Sequence, residues 1–470
     1  MRLEAVAGAD PRDVLRALRQ AVLGSGPAVA LGADPAASLG ANPAASGPRP
    51  ASDGGDTAAS GPRPNSDGGD TAAAAPRPNS DRGDTAAAAP RPNSDRGKTA
   101  PSGPRPASDQ GTTAAAAPLP DEVPAGTAVV LTTSGSTGYP KRVALSRAAL
   151  TSSALATADR IGEGAWLLAL PASYVAGVQV LVRALVGGRE PGILSGSFTP
   201  QAFAAAAAGM VSSRGGQRMP TYTSLVPAQL QTLLEGEEAG IRTGLASFEA
   251  ILVGGQSLPL ALAERAAAAG ARIVRTYGST ETSGGCVYDG RPLGGVGLRV
   301  VDGEVQLSGP TLADGYLGDP ERTDDIFPRD VDGTRWYRTG DAGEVSDGVL
   351  RITGRRDNVI VSGGINVSLD RVEHIVRGIA GLERAVVVPV ADDRWGQASV
   401  VVVPRGDVPA RDVAGRADAL SRDLLADVRD AVGDELGAPA RPREVILVDA
   451  MPTLPSGKPD RVALRDLIGD

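Results

Sequence analysis

The sequence predicts an α/β protein: a large N-terminal domain of sheets flanked by helices plus a small β-rich subdomain, and a smaller α+β C-terminal domain. Three observations carry this expectation. After Pro124, short β-rich runs alternate with Ala/Leu-rich helical runs, the pattern of a largely parallel sheet with helices on its faces. From Gly297 to Leu350 the texture turns to short strands and tight turns. From Asn358 onward the chain has strands and helices of its own, enough for a small separate domain. The boundaries drawn on this basis are 1–44 for a short N-terminal helical segment of the large domain, 45–122 for an insert, 123–356 for the large domain and 357–470 for the C-terminal domain.

The first element is one short helix. Asp10 can cap it, Pro11 suits its first turn, Val14, Leu15, Leu18 and Val22 form one face, and Gly24 can end it. From Ala45 to Ala114 a 14-residue unit occurs five times, from ASGPRPASDGGDTA to PSGPRPASDQGTTA. Pro, Gly, Ser, Asp and Ala dominate it. Without large apolar residues it cannot bury enough surface to offset its ordering entropy, so a disordered, partly extended insert is expected. Its evenly spaced Arg49, Arg63, Arg77, Arg91 and Arg105 leave a partner-binding reading open. Beyond it, Ala165–Leu170 reads as a strand before a helix at Val175–Val186, and Phe248–Val253 as a strand before a helix at Leu258–Ala269. Arg272–Tyr277 reads as a strand before a Gly-rich loop. Asp302-Gly303, between Leu298–Val301 and Glu304–Leu307, signals a hairpin. The last region is expected to hold strands at Ala385–Val390, Ser399–Val403 and Val445–Val448, and helices at Leu369–Ile379 and Ala410–Leu436.

Composition excludes several classes. The formal net charge of −8 over 470 residues argues against a nucleic-acid footprint. A single cysteine, Cys286, excludes a disulfide framework and a cysteine-based zinc site. The single histidine, His374, excludes a Ser-His-Asp triad unless it serves one; on its expected helix it reads as structural. Arg16 and Arg19 interrupt the apolar N-terminal stretch, so no signal peptide is expected there. No apolar run approaches the roughly 20 residues that cross a bilayer, and a cytoplasmic location is expected. Aromatics are only 3%, so the core must be mostly aliphatic. Nothing in the sequence specifies an oligomeric state.

The run Thr132-Thr133-Ser134-Gly135-Ser136-Thr137-Gly138-Tyr139-Pro140-Lys141 follows the apolar Ala128–Leu131. Its hydroxyls and glycine-freed N–H groups suit phosphate oxygens, and Lys141 adds a positive charge. A Ser/Gly-rich run also serves as a solvated turn, and this one is not a Walker loop, because no Gly-Lys-Ser/Thr occurs in it. Four further runs follow in order: Tyr277-Gly278-Ser279-Thr280-Glu281-Thr282, Tyr337-Arg338-Thr339-Gly340-Asp341, Gly354-Arg355-Arg356-Asp357-Asn358-Val359-Ile360-Val361-Ser362-Gly363-Gly364, and Pro455-Ser456-Gly457-Lys458.

With these five runs in this order, residues 123–470 resemble the adenylate-forming superfamily of acyl- and aryl-CoA ligases, peptide-synthetase adenylation domains and firefly-type luciferases. The resemblance implies that ATP, Mg²⁺ and coenzyme A act on a small-molecule carboxylic acid: the acid is joined to AMP, then passed to a thiol. It implies that Thr133, Ser134, Gly135, Ser136, Thr137, Gly138 and Lys141 hold the β- and γ-phosphates, and that Tyr277, Gly278 and Ser279 lie by the nucleotide, with Tyr277 near the adenine. Thr280 would sit near the α-phosphate, and Glu281 would help hold Mg²⁺, a hard cation that favours oxygen ligands. Asp341 would accept from the ribose hydroxyls, with Arg355 close by. Lys458 would stabilise charge on the α-phosphate. Asp357 would be the hinge of a mobile C-terminal domain, which presents either Lys458 or the Gly363-Gly364 face for the thiol's approach. Read alone, Glu281 and Lys458 fit ordinary surface charges, Asp341 a turn residue and Gly363-Gly364 a tight turn.

The acid pocket implied by the resemblance involves Tyr174, Ser224, Gly254, Gly255 and Ser283. Within the superfamily, the runs Thr223-Ser224-Leu225-Val226-Pro227-Ala228-Gln229-Leu230 and Leu170-Pro171 followed by Ala176-Gly177-Val178-Gln179-Val180-Leu181 are similar to the o-succinylbenzoate–CoA ligases of menaquinone synthesis. Many relatives carry histidine just after the Leu-Pro, where this chain has Ser173 and Tyr174. A basic residue would suit a dicarboxylate, and Arg183 and Arg275 are candidates by position; either also fits a solvated surface charge. A ligase or stand-alone adenylating enzyme for another aryl or fatty acid is the alternative. A catalytically weak relative with the repeat as its working part is a third reading, against which the five intact motifs argue.

Overall fold

The alternation of β-rich and helical runs builds a seven-stranded sheet in the order Arg291–Pro292, Gly284–Tyr288, Ile273–Ser279, Ala250–Gly254, Thr221–Leu225, Ala165–Leu168, Gly192–Ile193. The structure is a computed structural model that describes residues 1–6, 10–32, 119–134, 140–210, 213–214, 216–236, 239–408, 417–454 and 457–468. The five repeats, and Gly135, Ser136, Thr137 and Gly138, lie outside the described residues. Ala250–Gly254 pairs in parallel with both Thr221–Leu225 and Ile273–Ser279, and Thr221–Leu225 pairs in parallel with Ala165–Leu168. The strand Gly284–Tyr288 joins antiparallel to Ile273–Ser279. The central run Ala250-Ile251-Leu252-Val253 is wholly buried, as parallel strands covered on both faces require. The helices fall where periodicity places them, at Val175–Val186 and Leu260–Ala268. The carboxyl ends of the parallel strands bring Val226, Gly254-Gly255 and Ser279–Ser283 to one edge, the usual ligand edge of an open α/β sheet.

A second sheet orders Leu3–Ala5, Ala28–Gly32, Thr127–Ser134, Pro140–Ser146 and Gly315–Tyr316. Thr127–Ser134 and Pro140–Ser146 are antiparallel neighbours with Thr133 opposite Lys141, so the Ser/Gly-rich run connects two paired strands. The first helix is Pro11–Leu18, and the Asp10 carboxylate accepts from the Arg12 N–H at 2.8 Å. Val14, Leu18 and Val22 are buried and Leu15 is half-buried. One π-helical turn, Arg19–Leu23, extends it to Gly24.

The β-rich subdomain is an antiparallel meander of Gly297–Val301, Glu304–Ser308, Trp336–Ser346 and Val349–Arg355. Its first turn is the expected one: Asp302 and Gly303 have φ of 50° and 77°, the left-handed pair of a tight hairpin. The C-terminal region has its own sheet, ordered Ile365–Ser368, Val359–Ser362, Gly396–Pro404, Val386–Asp392, with Glu444–Val448 added parallel to Gly396–Pro404. Leu369–Arg377 and Ala417–Leu436 pack on it through Val372, Val376 and Val428. The second helix was expected from Ala410; residues 409–416 lie outside the described residues. The core is dominated by Val, Leu and Ala. Among the described residues no helix is long and apolar enough to cross a membrane.

Candidate active site

Glu281 follows the strand Ile273–Ser279 in a short 3₁₀ turn, Thr280–Thr282, and is 2% exposed. Its Oε1 accepts from Lys141 Nζ at 2.5 Å and from the Tyr316 hydroxyl at 2.9 Å. Burial pushes its carboxyl up, but the Lys141 ammonium and the hydrogen bonds from Lys141 and Tyr316 hold it below the usual carboxylate range. The first two motifs thus meet in one buried pair. Thr133, on the strand leading into the Ser/Gly-rich run, donates from its hydroxyl to the Lys141 carbonyl at 3.5 Å.

Asp341 lies on Trp336–Ser346, opposite Arg355 in register. The Tyr277 hydroxyl donates to its Oδ2 at 2.5 Å and Arg355 Nη1 to its Oδ1 at 3.0 Å. Burial raises its carboxyl above the ordinary value, partly offset by the Tyr277 and Arg355 bonds. Tyr277, placed by the resemblance near an adenine, is therefore a partner of Asp341 here; burial and the Asp341 charge push its phenol well up. Gly278 and Ser279 continue the same strand, and the Ser279 hydroxyl meets Tyr337 at 3.3 Å. Arg355 also forks onto Asp357, through Nε to Oδ1 and Nη2 to Oδ2 at 2.9 Å each. The Arg355 N–H donates to Asp370 on the Leu369–Arg377 helix at 2.6 Å. Asp357 and its neighbours thus sit at the junction of the β-rich subdomain and the C-terminal sheet.

Lys458 comes from the C-terminal region to the same place. The Gln256 amide donates to the Gly457 carbonyl at 3.4 Å, and a Cβ on Gly255 would lie 3.8 Å from Lys458 Cε. The side chain is exposed to the cleft, yet the walls crowd its ammonium. Desolvation pulls its pKa below the ordinary value, against the pull of Asp341 and Glu281. Lys141, Glu281, Asp341, Arg355 and Lys458 therefore share one cleft. A cavity of about 580 Å³ adjoins it, reaching Leu170, Pro171, Val226 and Gly457. Gly363 and Gly364, with φ of 57° and 80°, turn the hairpin between Val359–Ser362 and Ile365–Ser368. Val361 and Ile365 beside them are exposed, and Trp395 covers Gly363.

The predicted pocket residues gather at the strand ends. Tyr174 precedes the Val175–Val186 helix and is half-buried. Ser224 is buried on Thr221–Leu225, and Gly254 ends its strand against Thr276, where a Cβ would clash. Ser283 is fully buried with φ 55°. The two arginines part ways. Arg275 is exposed and pairs with Asp289 at 3.4 Å, a surface charge. Arg183 is 7% exposed, lies over the Trp166 ring at 4.9 Å and donates to the Tyr288 hydroxyl at 3.2 Å. Burial lowers its pKa, and no carboxylate is paired with it among the described residues. His374 is on an exposed helix face. Cys286 is free and buried, which pushes its thiol up to about 12.

The AMP-binding enzyme family model matches residues 69–317, and the model of the AMP-binding enzyme C-terminal domain matches residues 371–458. The chain belongs to the AMP-binding enzyme family. Among similar members, the probable 2-succinylbenzoate–CoA ligase of Mycobacterium tuberculosis is 38% identical over 351 residues, 73% of this chain and 85% of that one. The 2-succinylbenzoate–CoA ligase of Salmonella typhimurium is 33% identical over 58% of this chain and 56% of its own length. A solved variant of E. coli MenE with bound OSB-AMS has a TM-score of 0.57 at 26% identity, covering 75% of this chain and 71% of that one. The fold is that of the adenylate-forming enzymes.

Tyr316 is the site residue that the sequence motifs omit. It reaches Glu281 because Gly315–Tyr316 pairs with Pro140–Ser146, with Tyr316 opposite Val143. No local pattern announces that long-range pairing.

Proposed function

We propose that this AMP-binding enzyme is an acid–CoA ligase whose acid is 2-succinylbenzoate. A carboxylate oxygen attacks the α-phosphorus of ATP and pyrophosphate leaves. The coenzyme A thiol then attacks the acyl carbon, and AMP leaves as the thioester forms. The observation that carries the reading is the convergence of Glu281, Asp341 and Lys458, from three distant motifs, on one cleft. Lys458 stabilises the charge that builds on the α-phosphate. Lys141 and the hydroxyls of the adjoining run hold the departing phosphates. Asp341, kept in place by Tyr277 and Arg355, accepts from the ribose. Among the described residues no cluster of three or more carboxylate, His or Cys side chains forms a metal cage. That fits Mg²⁺ carried by phosphates and held by one carboxylate, Glu281; bound there, the ion would neutralise phosphate charge.

Asp357 is the hinge on which the region 357–470 turns, after adenylation, from the Lys458 orientation to one that brings the Gly363-Gly364 hairpin to the adenylate. The exposed Val361 and Ile365 beside that hairpin support this reading, since a second orientation would cover them. The choice of acid rests on the relatives and on Arg183, a buried guanidinium with no carboxylate partner among the described residues, suited to a substrate carboxylate. A cytoplasmic location, where ATP and coenzyme A are supplied, goes with this reading. The test is ATP–pyrophosphate exchange with 2-succinylbenzoate, benzoate and a medium-chain fatty acid, followed by thioester formation with coenzyme A. Exchange with 2-succinylbenzoate at least tenfold above the others is expected. Preference for the fatty acid would replace the acid assignment, and exchange with none would end the ligase reading.

A further inference from the structure

The Val175–Val186 helix packs its inner face against the core, and that face is apolar except at Gln179 and Arg183, one turn apart. Gln179 is 1% exposed, and among the described residues neither its Nε2 nor its Oε1 has a hydrogen-bond partner. Buried amides are almost always paired, because an unpaired one forfeits its bonds to water without replacement. Two neighbouring groups share the condition: the Ser283 hydroxyl and Arg183 Nε are buried and unpaired as well. Ser283 is also held at φ 55°, a left-handed conformation that a non-glycine residue adopts at a cost. The groups form one seam. A Cβ on Gly284 would lie 3.2 Å from Gln179 Cγ, so the glutamine presses on the backbone directly after Ser283, which is two residues beyond Glu281.

We propose that Gln179 is a specificity-determining residue whose amide hydrogen-bonds an oxo or carboxylate oxygen that the acid carries away from its reacting carboxyl group. This rests on the acid–CoA ligase reading and names what the pocket selects. The unpaired atoms of the seam include donors from three side chains, the Gln179 amide N–H groups, the Ser283 hydroxyl and Arg183 Nε–H, beside the Gln179 Oε1 acceptor. The donors on all three side chains suit the oxo and carboxylate oxygens of a polar acid. A leucine at 179 would suit the helix face without the cost of unpaired polar atoms, so the glutamine weakens the free protein and is offset only when a polar acid is bound. An acid without the second polar group leaves the seam unpaired and is discriminated against.

The experiment compares wild type with Gln179→Leu and with Gln179→Met, an unbranched side chain of similar length. It measures pyrophosphate exchange with 2-succinylbenzoate and with benzoate, and the thermal midpoint of the free protein. In both variants kcat/KM for 2-succinylbenzoate should fall about 10- to 100-fold, the range for one hydrogen bond to a charged or polar group. Benzoate should stay within about threefold, and the midpoint should hold or rise. Equal losses for both acids with a lowered midpoint would make Gln179 a packing residue and overturn the proposal, as would unchanged selectivity. Wild type that activates benzoate as well as 2-succinylbenzoate overturns the proposal and leaves the ligase reading standing. Wild type that activates neither ends both.

Discussion

The two sides of the cleft are built differently. On the large-domain side every charge is clamped: Glu281 by Lys141 and Tyr316, Asp341 by Tyr277 and Arg355. These pairs sit on strands or directly beside them, where the sheet fixes the backbone and burial makes each bond costly to lose. On the other side, Lys458 stands on a turn, exposed to the cleft and ion-paired to neither carboxylate, though both act on it through space. The contrast is the one that the proposed rotation calls for: a preorganised wall and a cation not locked to it. A lysine locked in a buried pair would resist removal, whereas one held by the Gln256–Gly457 contact at 3.4 Å gives way with little loss.

The contrast is broken most directly at Lys458. Lys458→Ala should slow adenylation about 100- to 1,000-fold, the usual effect of deleting one transition-state donor. Thioester formation from preformed adenylate should change by less than about threefold. Equal losses in both half-reactions would mean that the lysine belongs to the fixed wall. On that wall, Glu281→Gln should raise the Mg²⁺ needed for half-maximal exchange about tenfold, because a neutral amide is a weaker ligand for a hard cation. It also leaves the Lys141 ammonium without its charged partner, so a lowered thermal midpoint should accompany the change. Unchanged activity at limiting Mg²⁺ would remove Glu281 from the metal role.

A titration sharpens the same comparison. In the proposed mechanism adenylation needs Lys458 charged, and desolvation lowers its pKa. The rate should therefore fall with rising pH earlier than an ordinary lysine would dictate. Lys458→Arg, whose guanidinium does not titrate in this range, should lose that alkaline limb whatever its absolute rate. A limb that persists in the arginine variant would belong to another group.

Much of this was legible in the sequence, for physical reasons that differ by region. The strand–helix pairs after Ala165 could be placed because parallel strands are continuous apolar runs and their helices carry a 3.6-residue period. Asp302-Gly303 declared its hairpin because few residues tolerate two left-handed positions in succession. Of the motif residues, the structure brings Lys141, Glu281, Asp341, Arg355 and Lys458 to one cleft, while Gly135, Ser136, Thr137 and Gly138 lie outside the described residues. What stayed hidden depends on contacts far apart in the chain. Arg183 and Arg275 look alike in sequence, yet one is buried against the Trp166 ring and the other pairs with Asp289 on the surface. Tyr316 reaches Glu281 only through strand pairing. Gln179 reads as one polar residue on a helix until its burial and lack of partners are known.

The smallest expected effect lies farthest from the chemistry. The Pro11–Leu18 helix has only 8 residues, too few to be stable alone, so its termini and its packing must hold it. Val14 and Leu18 supply the packing and Asp10 the cap. Asp10→Ala removes one side-chain acceptor from the first turn and should cost about 1 kcal/mol. The loss should be local: faster amide exchange at Arg12, whose N–H loses its acceptor, with adenylation kinetics unchanged. A large fall in exchange activity in this variant would show that the N-terminal helix is mechanically tied to the cleft, and the division between a rigid wall and a movable lysine would have to include it.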